Sequence, residues 1–179
     1  MDERRRQLLL EVGKTLAPLG FRKREQSFRR EVAGCRQSLH LSFIPHRDDF
    51  DVTADVAVRH HALEDILNQD RASLTDAAKK DTCTVGAELG NIAGTGQHRW
   101  TVVTVRDVGP VVVGVEDLFL TVGLPWLERF SRVEEVHRVL RNGGMEAALL
   151  CPIAQTRNRL TLLLESLKTP PSTPPLPSN

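Results

Sequence analysis

The chain has 179 residues, 40% of them hydrophobic, a formal net charge of +1 and three cysteines. This is enough apolar material for one core, and the near-neutral total excludes a strongly polyanion-binding composition. Aromatics make up 4% and Tyr is absent, so Leu and Val must fill the core and stacking platforms for bases are scarce. The charge is uneven: residues 1–47 hold 11 Lys and Arg against 5 Asp and Glu.

Residues 2–17 read as an amphipathic helix, with Leu8, Leu9, Val12 and Leu16 on one face. Asp2 and Glu3 favour its N-terminus, and Pro18 and Gly20 stop it. Glu11 and Lys14 break any apolar run, so no secretory leader is expected. Two short strands, 21–24 and 27–33, follow around Glu25 and Gln26, with Phe21, Phe28 and Val32 inward.

The alternation in "RQSLHLSFIP" (36–45) and "FDVTADVAVR" (50–59) predicts antiparallel strands wet on one side. Ser38, His40 and Ser42 share the polar face of the first. Asp51, Thr53, Asp55, Ala57 and Arg59 share that of the second. A short helix is expected at 62–68, and 70–80 is polar with some helical character. "DTCTVGAEL" (81–89) and "HRWTVVTVRD" (98–107) are read as two further strands joined by a flexible loop, "GNIAGTGQ". That loop lacks the Gly-Lys-Ser/Thr of a phosphate loop.

The last third turns helical. Pro110 opens one helix, with Val111, Val115, Leu118, Phe119 and Val122 as its apolar stripe. Pro125 opens another after a bend, with Glu134 and Arg138 paired at i,i+4, and Asn142–Gly143–Gly144 closes it. A final helix, about 153–167, buries Leu160, Leu163, Leu164 and Leu167. Residues 169–179, "TPPSTPPLPSN", form a proline-rich tail beyond a single domain, 1–168. No segment reaches a membrane-spanning length by this reading. The order of elements is not an alternating βα pattern, and predicts α+β: an antiparallel sheet with helices packed on one face.

The helix, "LAPLGFRKREQSFRRE" and the strand "SLHLSF" together resemble the openings of a family of small bacterial proteins that share a domain of unknown function. "LEDILN" and "GLPWLERF" fit the same kind of protein. Some proteins of this size and pattern are similar to immunity or accessory proteins near toxin genes. The resemblance implies no catalytic residue.

Three constellations bear on chemistry. His46, Asp48, Asp49 and Asp51, with His60 and His61, supply metal-ligand types. Fourteen residues of extended chain separate His46 from His60, too far for one ion. No metal and no cofactor is therefore expected. Cys35, Cys83 and Cys151 lie in no CxxC and no nucleophile motif; they read as buried thiols of a reducing, cytoplasmic compartment. The stretch 22–30 carries Arg22, Lys23, Arg24, Arg29 and Arg30. Arg22, Arg24 and Arg29 are expected on one exposed face, with Lys23 or Arg30 as possible additions. Asp51 and Asp55 are their candidate counter-charges across the sheet.

Three functions follow for this stretch and its domain. The first is non-enzymatic binding of another protein. The second is a nucleic-acid-associated accessory role through the basic hairpin. The third is an enzyme with a pocket between sheet and helices.

Overall fold

The computed structural model describes residues 2–69 and 71–168, the Lys168 side chain excepted. The proline-rich stretch 169–179 lies outside the described residues. Helix α1, Glu3–Leu16, is capped by the Asp2 carboxylate, which accepts from the Arg4 amide. Its buried residues are the four that the spacing predicts. A 3-10 turn, Ala17–Leu19, ends at Gly20 with φ 86°, a left-handed angle open to Gly.

Strands β1 (Arg22–Arg24), β2 (Ser27–Val32), β3 (Cys35–Pro45) and β4 (Phe50–His60) form an antiparallel meander. Helices α2 (His61–Leu67) and α3 (Asp76–Asp81) follow. Strand β5 (Val85–Glu88) and strand β6 (Trp100–Val102) both pair with β4, β5 beside residues 55–58 and β6 beside 50–52. The fold is α+β: α1 and the long C-terminal helical run cover one sheet face, while α3 touches the other, where Asp81 pairs with Arg29 and the Lys80 carbonyl accepts from Arg36.

The expected hairpin of 81–89 with 98–107 is corrected: the two strands are shorter and lie end to end along β4, without pairing to each other. The expected flexible loop between them begins as a helical turn, α4 (Leu89–Ile92). Glu88 caps α4 through the Asn91 amide and also takes the His98 amide, folding the loop back. Gly90 permits that return, since a Cβ there would overlap the Gly96 carbonyl and the His98 backbone.

One helical run then continues through α5 (Val108–Leu118), a π-helical turn (Phe119–Gly123) and α6 (Leu124–Phe130). Pro110 is the third residue of α5, which begins at Val108. Pro125 lies inside this run and has no N–H to continue the ladder; the π-helical turn directly before it is where the helix accommodates the missing donor, so the expected bend becomes a continuous path. As a result Val105–Phe130 is long and apolar enough, by length and composition, to cross a membrane, which corrects the expectation that no segment is. Core helices pass the same test, and here Val108, Val111, Val112, Val115, Phe119, Leu127 and Phe130 are buried. Leu118 and Val122, expected in the same stripe, are half-buried.

Helices α7 (Val133–Asn142), α8 (Gly144–Leu150) and α9 (Ala154–Lys168) complete the described chain. Arg138 pairs with Glu135 at i,i+3, 2.9 Å, and not with Glu134. Glu135 faces the α6 end and draws in Arg129 as well. Leu160 and Leu164 are buried, but Leu163 is half-buried and Leu167 is exposed.

Core-facing strand residues include Phe28, Leu39, Leu41, Phe50, Val52, Val56 and Val58. Two polar side chains on this same face tie the sheet to the last carbonyls of α6. Gln37 Nε2 donates to the Leu127 carbonyl, 3.1 Å, and His60 Nε2 to the Phe130 carbonyl, 2.9 Å. Burial holds the His60 imidazole below its usual pKa. The folded chain therefore binds fewer protons here than the unfolded chain between the lowered value and about 6.5. Stability from this site is full above about 6.5 and falls as pH drops below it. The change in denaturation midpoint between pH 7.5 and pH 5 should shrink in His60→Gln, whose amide can donate to the same carbonyl. An unchanged slope would assign the acid sensitivity elsewhere.

Candidate basic edge and the open sheet face

Register decides where each basic residue of 22–30 points. Arg22 faces Arg29, Lys23 faces Phe28 and Arg24 faces Ser27, and directly opposed residues share a sheet face. Arg22, Arg24 and Arg29 thus lie on the outer face. Lys23 and Arg30 lie on the helix face.

Arg29 opposite Arg22 is a like-charge pair, which destabilises a ladder. It is relieved by Asp81 of α3, 2.8 Å from Arg29 Nη1. The expected compensation by Asp51 and Asp55 is corrected. Asp51 accepts from Thr101 and lies 3.2 Å from His46; Asp55 sits two strands away, opposite His40. The expectation that Arg30 is an outward cation is corrected too. Its Nε donates to Gln37 Oε1 at 2.6 Å, its Nη1 to the Leu19 carbonyl at 3.0 Å, and its guanidinium lies 4.8 Å from the Phe21 ring centroid. It clamps the 3-10 turn to the hairpin.

Arg22, Lys23 and Arg24 remain. All three are exposed, and among the described residues none forms an ion pair. They fill the whole of β1, the outermost strand on that side of the sheet. On the helix side, Lys23 borders a shallow depression with Leu9, Leu10, Gly13 and Lys14, and Leu10 is exposed.

The rest of the outer face is polar and half-open. One cross-strand rank reads Ser27, His40, Asp55, Glu88. Ser27 Oγ is 2.9 Å from His40 Nδ1. A serine, a histidine and an aspartate in line invite comparison with a nucleophilic triad. The arrangement differs: Ser27 is buried at the first position of β2, in register between Arg24 and His40, and does not stand on the exposed strand-to-helix turn that presents a nucleophilic serine. Asp55 is held above its usual carboxylate range by desolvation and by Glu88, with His40 opposing.

The other candidate residues disperse. His61 bonds Glu31, 2.8 Å, and among the described residues no group of three His, Cys, Asp or Glu could hold a metal ion. Cys35 and Cys151 are buried, but Cys83 is exposed, correcting its expected burial. It precedes β5 and lines a hollow beside that strand, partly covered while still reached by solvent. Its surroundings push the Cys83 thiol up, desolvation first and then Glu64, the reverse of an activated thiolate.

At the far end of the outer face lies a buried ionic network that residue types alone did not disclose. Glu64 Oε2 accepts from Thr82 Oγ1 at 2.6 Å, Arg71 Nη1 at 3.1 Å and Arg59 Nη1 at 3.4 Å. Glu64 Oε1 is buried without a partner among the described residues, so the network rests on one oxygen.

No protein-family model matches the chain, and neither a curated protein nor a solved structure does.

Proposed function

We propose that this chain is a non-enzymatic interaction protein, immunity-like or accessory in role, whose basic edge strand β1 docks an acidic surface of a partner protein. The observation that carries this is the division of the cations of 22–30. Arg29 and Arg30 are consumed by Asp81, Gln37 and the Leu19 carbonyl. Arg22, Lys23 and Arg24 are exposed at the sheet edge and form no ion pair among the described residues, Arg24 feeling Asp81 only at longer range. Guanidinium forks match carboxylates bidentately, and the neighbouring exposed Leu10 adds the apolar contact typical of protein interfaces. A second reading has its own basis: charged residues on a short edge strand also prevent edge-to-edge pairing.

Affinity capture from a lysate of the source cell, with and without nuclease, separates these readings. The triple variant Arg22→Ser, Lys23→Ser, Arg24→Ser should retain the fold and lose capture of a nuclease-resistant protein partner tenfold or more. A protein partner should show a modest salt dependence. A nuclease-sensitive partner lost steeply between low and moderate salt would indicate nucleic acid instead. Undiminished capture together with new self-association would leave β1 only the role of blocking edge pairing.

A further inference from the structure

The sheet edge opposite β1 carries a feature that the basic strand does not explain. A pocket of about 620 Å³ opens beside β5, within the usual range for small-molecule sites. Two adjacent ranks of the β4–β5 ladder create it. In one, Ala57 faces Gly86; in the next, Asp55 faces Glu88. A normal strand pair would cover this patch with side chains. The Ala–Gly rank leaves it hollow, and the acidic rank frames one end. The opposite wall is the corner between α8 and α9, with Leu149, Pro152 and Ile153. Ile153 is exposed at the mouth.

The two carboxylates differ. Glu88 is fully used: Oε2 accepts from the Asn91 amide at 2.9 Å and Oε1 from the His98 amide at 3.1 Å. Asp55 has no hydrogen bond or ion pair among the described residues; across the ladder it stands between Glu88, a like charge, and His40. A half-buried carboxylate in this position gains from a cation brought within reach, and the apolar wall on one side reduces the screening of that contact.

The geometry points to a binding site for a small amphiphilic amine, its apolar body against Leu149, Pro152 and Ile153 and its ammonium on the Asp55 carboxylate. The shape favours a small molecule over an added peptide strand, because α8 already packs against β5 and takes the space a further strand would need. This site lies at the other edge of the sheet from β1, so it stands or falls independently of the partner-binding proposal.

The test is titration of the full chain, followed by amide NMR, with butylamine, hexylamine and phenethylamine, each against the alcohol and the carboxylate of the same body. The amines should shift the amides of Asp55, Gly86, Glu88 and Ile153. At least one should bind tenfold or more tighter than its alcohol, and the carboxylates should give no shift. Asp55→Asn should weaken the amine at least fivefold and leave the alcohol unchanged, with a wild-type spectrum elsewhere. Equal binding of amine and alcohol, or an Asp55→Asn variant that binds the amine as well as wild type, would overturn the assignment. So would shifts produced only by lysine- or arginine-containing peptides, or no shift with any amine of the series.

Discussion

Replacing Glu64 with Ala is expected to cost the folded chain about 3–5 kcal/mol, the range for breaking a buried ionic pair by removing one partner. Arg59 is itself buried, and the loss of Glu64 leaves its guanidinium with Thr82 and the exposed Asp65 as partners. Thr82 and Arg71 each lose one acceptor as well, and keep the Lys79 carbonyl at 2.8 Å and Asn68 Oδ1 at 3.0 Å. The urea midpoint measures the effect, and Glu64→Gln, which keeps an acceptor oxygen, should fall between Ala and wild type. A change under about 1 kcal/mol, the scale of a surface pair, would mean that the network is wet and adjustable. The expected consequence of a large loss is loosening of α3, since Thr82 and Arg71 anchor the segment that brings Asp81 to Arg29.

Phe28→Ala is expected to cost a similar amount, about 3–5 kcal/mol. Phe28 is fully buried on the inner face of β2. Its ring lies under Gly13 of α1, where even a Cβ would come within 3.3 Å of Phe28 Cε1. The glycine in mid-helix weakens α1 locally, and the close fit of the ring offsets this. Thermal denaturation of Phe28→Ala, with Phe28→Leu as a partial replacement, checks the contribution. A loss no greater than for an exposed residue would show that the hairpin does not anchor on α1.

The strands β3 and β4 were legible in the sequence because their alternation is long and clean. Leu39, Leu41, Val52, Val56 and Val58 fall on the core face as period two requires. The N-terminal helix was legible for the same kind of reason, through Leu8, Leu9, Val12 and Leu16. The short elements were not. Strands β5 and β6 are four and three residues long, and their placement end to end along β4 is a tertiary choice that no local pattern encodes. The α6 path past Pro125 depends on a π-helical turn, which has no periodicity of its own.

The candidate site was half legible. A run of five cations is visible in the residues, but which of them are free is decided by distant partners. Arg29 meets Asp81 52 residues away, and Arg30 donates to the carbonyl of Leu19 and to the side-chain oxygen Oε1 of Gln37. The rank of Ser27, His40, Asp55 and Glu88 likewise exists only once three strand registers are set. The polar alternation placed His40 and Asp55 on wet faces, yet nothing in it could align them.

The central claim is that the three exposed cations of β1, which form no ion pair among the described residues, contribute little to the fold, while Arg29 and Arg30 are structural. Equilibrium urea unfolding of two variants tests it directly. The triple variant at Arg22, Lys23 and Arg24 to Ser should match the wild type within about 0.5 kcal/mol, as expected for exposed substitutions. The double variant Arg29→Ser, Arg30→Ser should lose about 2–4 kcal/mol, through charge-assisted hydrogen bonds and the contact with Phe21. Equal losses in the two variants, or a larger loss in the triple, would contradict the division of roles on which the proposed binding edge depends.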